Sequence, residues 1–202
     1  MLFTKYKLTI EVEIETPPLG IDHDIEESIK KDQEKTGLDY IEDSGRGYRF
    51  VVASPRPIDF LEAASIKTLV DKGTVVIASG GGGIPVIRTK NGYEGVPAVI
   101  DKDSSSARLG EIIDADMFLI LTAVSRVMID FNKPNQREIV SMNVEEANTY
   151  IKEGHFAKGS MLPKVKAAID FVTRKPGSKA VIAELKDASG AIKGTAGTLI
   201  TH

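Results

Sequence analysis

Three stretches of this 202-residue chain set charged or hydroxyl side chains beside glycines and other small residues. The first, ASGGGGIPVI, places Gly80, Gly81, Gly82 and Gly83 between the apolar run Val75-Val76-Ile77 and a second apolar run broken by Pro85. A Walker loop needs Gly-Lys-Ser/Thr at the start of a helix, and a dinucleotide loop needs a third glycine where this chain has Pro85, so neither fits. Glycine reaches positive φ freely and lacks a Cβ, so four in a row bare N–H groups that can approach an anion or a small planar substrate. The alternative is a slack turn. The second stretch, AVIDKDSSSARLGEI, puts Asp101-Lys102-Asp103 at a helix start. Asp103 or Ser104 is placed to cap that helix, which is ordinary; the functional alternative makes Lys102 a positive arm and Asp103 its orienting anion. The third, GHFAKGSMLPKVKAAI, leads through Ser160 into a helix with Lys164 in its first turn. A cation there opposes the helix dipole, so Lys164 is either solvated or matched by an anion. FNKPNQRE, after MIDF, reads as a polar surface loop.

The elements that must position these residues show in the hydrophobic periodicity. Leu8, Ile10, Val12 and Ile14 alternate with polar residues, as in a strand with one wet face. Ile21 to Gly37 carries a charged helical pattern, and Tyr48 to Ala53 reads as a strand before SPRP. Residues 1–57 form a β-rich appendage or lid-like segment on this reading, and 58–202 an α/β core. Ile58, Leu61, Ile66, Leu69 and Val70 predict a helix ended by Gly73, and TVVIAS predicts the next strand. The alternation continues with helix 104–113, strand MFLILTAV, helices 144–153 and 161–173, and strand AVIAEL. This order predicts a mostly parallel sheet with helices on both faces, and ligands in such sheets gather at the carboxyl ends of strands, where the glycines fall.

Composition excludes several classes of function. With 42% hydrophobic and 27% charged residues the chain is globular, and 26 basic against 29 acidic residues create no field for nucleic acid. No apolar run reaches the roughly 20 residues that span a bilayer, and MLFTKYKLTIEVEIE is too charged for a signal peptide, so a cytoplasmic protein is expected. Without cysteine there is no thiolate chemistry, and His23, His155 and His202 lack metal-ligand spacing.

In order and spacing, EDSGRGYRFVVASPRP, IKTLVDKGTVVIASGGGGIPV, GVPAVIDKDSSSARL, ILTAVSRVMIDFNKPNQ, KEGHFAKGSMLPKVKAAIDFV and GTAGTLIT resemble carbamate kinase, of the amino acid kinase family, from about Leu38 to His202. The resemblance implies a three-layer αβα sandwich with a mostly parallel sheet, a homodimer, and reversible phosphoryl transfer between ATP and carbamate with magnesium. The usual direction makes ATP from carbamoyl phosphate and ADP. It implies that Lys102 and Lys164 hold the transferring phosphoryl group, that Asp103 organises them, and that Gly80 to Gly83 let backbone approach the nucleotide and carbamate. Thr122, Lys133, Pro134 and Met161 would rim the adenine, and magnesium would be held by phosphate oxygens and water. The family's opening Gly-Gly-Asn loop and its His-Gly-Asn-Gly-Pro motif have no counterpart here, so the fold is N-terminally shortened against it and catalysis is expected to be impaired. Two alternatives follow: a non-catalytic nucleotide-binding module, or one part of a split kinase whose missing portion comes from a separate chain.

Overall fold

The computed structural model describes residues 3–6, 31, 34, 39–42 and 48–202. Two compact units divide the chain, the first of Met1–Leu61 with Gly81–Asp101 and the second of Glu62–Gly80 with Lys102–His202. The expected strand Leu8 to Ile14 lies outside the described residues, as does the expected helix Ile21 to Gly37 apart from helical Lys31 and Glu34.

The first unit is built of short strands: β1 (Phe3–Tyr6), β2 (Asp39–Glu42), β3 (Tyr48–Val51), β4 (Pro57–Phe60), β5 (Ile84–Thr89) and β6 (Gly92–Gly95). One sheet has the order β4-β1-β5-β6, and β2 and β3 pair as a hairpin. Ile58, expected to open a helix, lies in β4, where Phe60 stands opposite Thr4 of β1. The helical spacing of Ile58 and Leu61 with the apolar residues after them is coincidental, because strand pairing is a non-local constraint that a local period does not register.

The second unit opens with α1 (Ala63–Asp71). Its end is a Schellman arrangement: Gly73, at φ 79°, donates to the Val70 carbonyl and Thr74 to that of Leu69. TVVIAS then departs from expectation. Residues 74–79 form no strand, and Val75 and Ile77 are 92% and 98% exposed while Val76 and Ala78 are half-buried. The sequence has the pattern of a strand, but among the described residues no neighbouring strand pairs with it. Each exposed side chain forgoes the roughly 2 kcal/mol that burial would contribute.

The rest of this unit follows the expected alternation, with α2 (Lys102–Ile112), β7 (Met117–Thr122), the β8 (Val127–Ile129) and β9 (Arg137–Ile139) hairpin, and β10 (Ser141–Asn143). After these come α3 (Val144–Lys152), α4 (Met161–Arg174), β11 (Lys179–Glu184), a 3-10 turn, α5 (Ala188–Lys193) and β12 (Thr198–Thr201). Its sheet runs β10-β12-β11-β7, parallel in the outer pairs and antiparallel between β11 and β12. Alternation along β11 divides the core. Ala180 and Ile182 pack with Val165, Ala168, Phe171 and Val172 of α4, whereas Val181 and Ala183 pack with Leu119 and Ala191 of α5 on the opposite face. Within this unit the architecture is therefore α/β with helices on both faces of a mostly parallel sheet. Among the described residues no helix is long and apolar enough to cross a membrane.

Candidate active site

The helix pair α2 and α4 is held close by Gly110, where a Cβ would stand 3.1 Å from the Phe171 ring. Glu111 and Arg174 make an ion pair of 3.7 Å beside it. Seven residues earlier on both helices, Lys164 Nζ donates to Asp103 Oδ2 at 2.9 Å. Contacts that advance together along both chains mean that the helices run parallel, so their N-termini lie at one end of the unit. The α2 helix starts at Lys102, before Ser104, which puts Asp103 inside its first turn rather than outside as a cap.

Asp103 is the hinge of this constellation. Its Oδ2 accepts from Lys164 and, at 3.5 Å, from Lys102. Side-chain exposure separates the two cations: Lys164 is 15% exposed and Asp103 11%, but Lys102 is 58% exposed. Lys164 is thus held close by the carboxylate, while Lys102 is the longer-range and more exposed partner. Among the described residues neither ammonium has a second carboxylate, so two cations share one anion and one positive charge is left over at the N-termini of two helices. Such a place attracts a dianionic or trianionic phosphate, and attraction grows where water is displaced.

Ser79 and Ser105 were not singled out from the sequence. Both are buried and their hydroxyl oxygens are hydrogen-bonded to each other. Ser79 has φ 60°, a conformation that costs a non-glycine residue about 1–2 kcal/mol and is found where geometry serves a site. The available signal was the lone hydroxyl closing the apolar run Val75-Val76-Ile77-Ala78.

The four glycines have different reasons for being there. At Gly80 and Gly81 an added Cβ would meet open space, whereas at Gly82, with φ 87°, it would fall on the carbonyl oxygen of Ile100. Gly83 has φ 117°. Gly82 is required by its own chain; Gly80 and Gly81 keep backbone uncovered.

The remaining expected residues lie on other elements of the same unit. Thr122 ends β7. Met161, the first residue of α4, packs against the core. Lys133 and Pro134 lie in a turn organised by Asp130, which accepts from Lys133 Nζ at 3.0 Å and from Asn135 Nδ2 at 2.6 Å. The Asp130 amide donates to His155 Nδ1 at 3.3 Å, leaving Nε2 to donate to Glu153 at 3.0 Å. His155 thus closes this turn, a role hidden from sequence by a separation of 25 positions.

The amino acid kinase family profile matches residues 26–184. The chain belongs to the amino acid kinase family. Among its relatives, a carbamate kinase of Clostridium perfringens is 52% identical over 185 residues, which are 92% of this chain and 59% of that protein. A carbamate kinase-like protein of Escherichia coli is 54% identical over 166 residues, 82% of this chain and 54% of the other. A Giardia lamblia carbamate kinase bound to AMP-PNP superimposes with TM-score 0.84 at 37% identity, covering 99% of this chain and 63% of that one. This amino acid kinase chain therefore spans about three fifths of the length of those relatives.

Proposed function

We propose that this chain is a carbamate kinase-type phosphotransferase acting at Lys102, Asp103 and Lys164. The observation that carries the reading is the pair of ammonium groups on one carboxylate, with a net positive charge beside two helix N-termini. The roughly 50% identity to carbamate kinases supports the substrate class, and the AMP-PNP bound by the Giardia relative supports a nucleotide.

In the proposed reaction a β-phosphate oxygen of ADP attacks the phosphorus of carbamoyl phosphate. The bond between phosphorus and the carbamoyl oxygen breaks, and carbamate departs with the electron pair. Charge spreads over the transferring group's equatorial oxygens, so positioning and charge cancellation do most of the work. Lys164, oriented by Asp103, stabilises those oxygens, and the more exposed Lys102 contacts them from solvent. The open backbone at Gly80 supplies an N–H donor. Thr122, Lys133, Pro134 and Met161 rim the adenine. Magnesium would arrive on the nucleotide phosphates as part of the substrate. A homodimer in the cytoplasm completes this reading.

Titration calorimetry with magnesium-ADP tests it. Binding is expected, weakened at least about tenfold by Lys164→Ala, because a charge-assisted phosphate contact is lost. Absence of heat from the parent chain, or equal affinity in the variant, would refute the assignment.

A further inference from the structure

We propose that the buried Ser79 and Ser105 are positioning residues of the phosphoryl-transfer site. Their hydroxyl bond clamps the residue before the glycines onto the helix that carries Asp103, and so fixes the Gly80 N–H relative to the two lysines. Ser105 lies two positions after Asp103 in the first turns of α2. At about 100° per residue, side chains two positions apart point to opposite sides of a helix. The start of α2 is therefore held from both sides: Asp103 accepts from Lys164 of α4, and Ser105 is bonded to Ser79. Gly80 follows Ser79 directly, and a Cβ there would meet nothing within 4 Å. No packing against Gly80 itself sets its place, so the tie one residue earlier does.

The conformation of Ser79 separates a positioning role from ordinary hydroxyl pairing. It stands at φ 60°, which glycine adopts without cost and serine does not. A fifth glycine before the four would relieve that strain. What serine adds in exchange is one hydroxyl, on a residue 6% exposed, bonded to a residue with 0% exposure. Strain of this kind persists only where the surroundings over-determine the backbone, as they do at ligand clamps. The inference rests on the proposed reaction in its use of the Gly80 N–H as a donor to phosphate oxygens, and that use is read in two ways below.

The variants are Ser79→Gly, Ser105→Ala and the two together. Ser79→Gly loses the hydroxyl bond and the strain at once, so it is expected to melt within about 4 °C of the parent. ATP formation from magnesium-ADP and carbamoyl phosphate should nonetheless lose about tenfold to a hundredfold in kcat, with KM for ADP changed less than about twofold, because a loosened donor is missed chiefly as charge spreads in transfer. The double variant should be no worse than either single one, since each removes the same tie. In amide correlation spectra, pyrophosphate should move the Gly80 resonance of the parent and leave that of the double variant in place. Where the Ser105 change prevents folding, Ser79→Gly alone carries both readouts. Parental kcat in the variants, losses that simply add, or a Gly80 resonance that responds to pyrophosphate in neither chain or equally in both would overturn the proposal. A parent that makes no ATP, yet whose Gly80 response is lost in the variant, would sustain the clamp and refute the proposed reaction.

Discussion

Asp103 concentrates the chemistry of the chain in one side chain, because its single Oδ2 atom receives both lysines. Asp103→Asn keeps the shape and removes the charge, so Lys164 loses its orienting anion while the helix start is preserved. Turnover with carbamoyl phosphate and ADP is expected to fall at least about a hundredfold, the usual consequence of unsettling a preorganised donor, with thermal stability changed little. Gly82→Ala acts on folding instead. The new Cβ would meet the Ile100 carbonyl in a left-handed conformation, and denaturant titration should show a loss of about 2 kcal/mol or more. The lysines and Asp103 were legible because cations at a helix start contradict the dipole and so ask for an explanation. The buried Ser79 and Ser105 pair was not, since two serines 26 residues apart give no local signal. Nor did four consecutive glycines reveal that Gly82 is sterically bound to a carbonyl.

Elements with a local signature were readable. The α3 helix begins at Asn143, whose side chain accepts from the Glu146 amide while Glu146 returns a bond to the Asn143 amide, and apolar spacing marks α4 over its full length. β7 and β11 stood out as unbroken apolar runs and pair in parallel along six residues each. TVVIAS carried the same apolar signal and failed as a strand, because a strand exists only with partners. The β12 strand is tied to the β8–β9 hairpin by Thr198, which accepts from the Val127 amide and donates to the Ile139 carbonyl, both buried. Thr198→Val strands both groups, and chemical denaturation should register a loss of about 2–3 kcal/mol. At the end of α4, Lys175 bonds Asp114 and the Asp114 and Ala115 carbonyls. The hydrogen bond from Lys175 holds the Asp114 carboxyl below its ordinary range, and the same bond raises the Lys175 ammonium. The Asp114 contribution is therefore present above about pH 4 and fades as pH falls through its lowered value, whereas that of Lys175 is present below about pH 10 and fades as pH rises through its raised value. Asp114→Asn should lower the melting temperature at pH 7, with the difference closing as pH approaches 2.

At the scale of the molecule, the family and the α/β architecture of the second unit were legible because six blocks keep their order and spacing over more than 160 residues. Nucleotide binding is expected to rest on Lys164 and on the uncovered backbone at Gly80. The central claim is that Lys102, Asp103 and Lys164 form a phosphoryl-transfer site for carbamoyl phosphate. Its most direct test is luciferase detection of ATP formed from magnesium-ADP and carbamoyl phosphate by the purified chain, beside Lys164→Ala. The account predicts ATP above the protein-free control, at a turnover well below the roughly 10 s⁻¹ typical of enzymes, falling to the control level in the variant. ATP formation that is absent from the parent chain, or unchanged by Lys164→Ala, would contradict it.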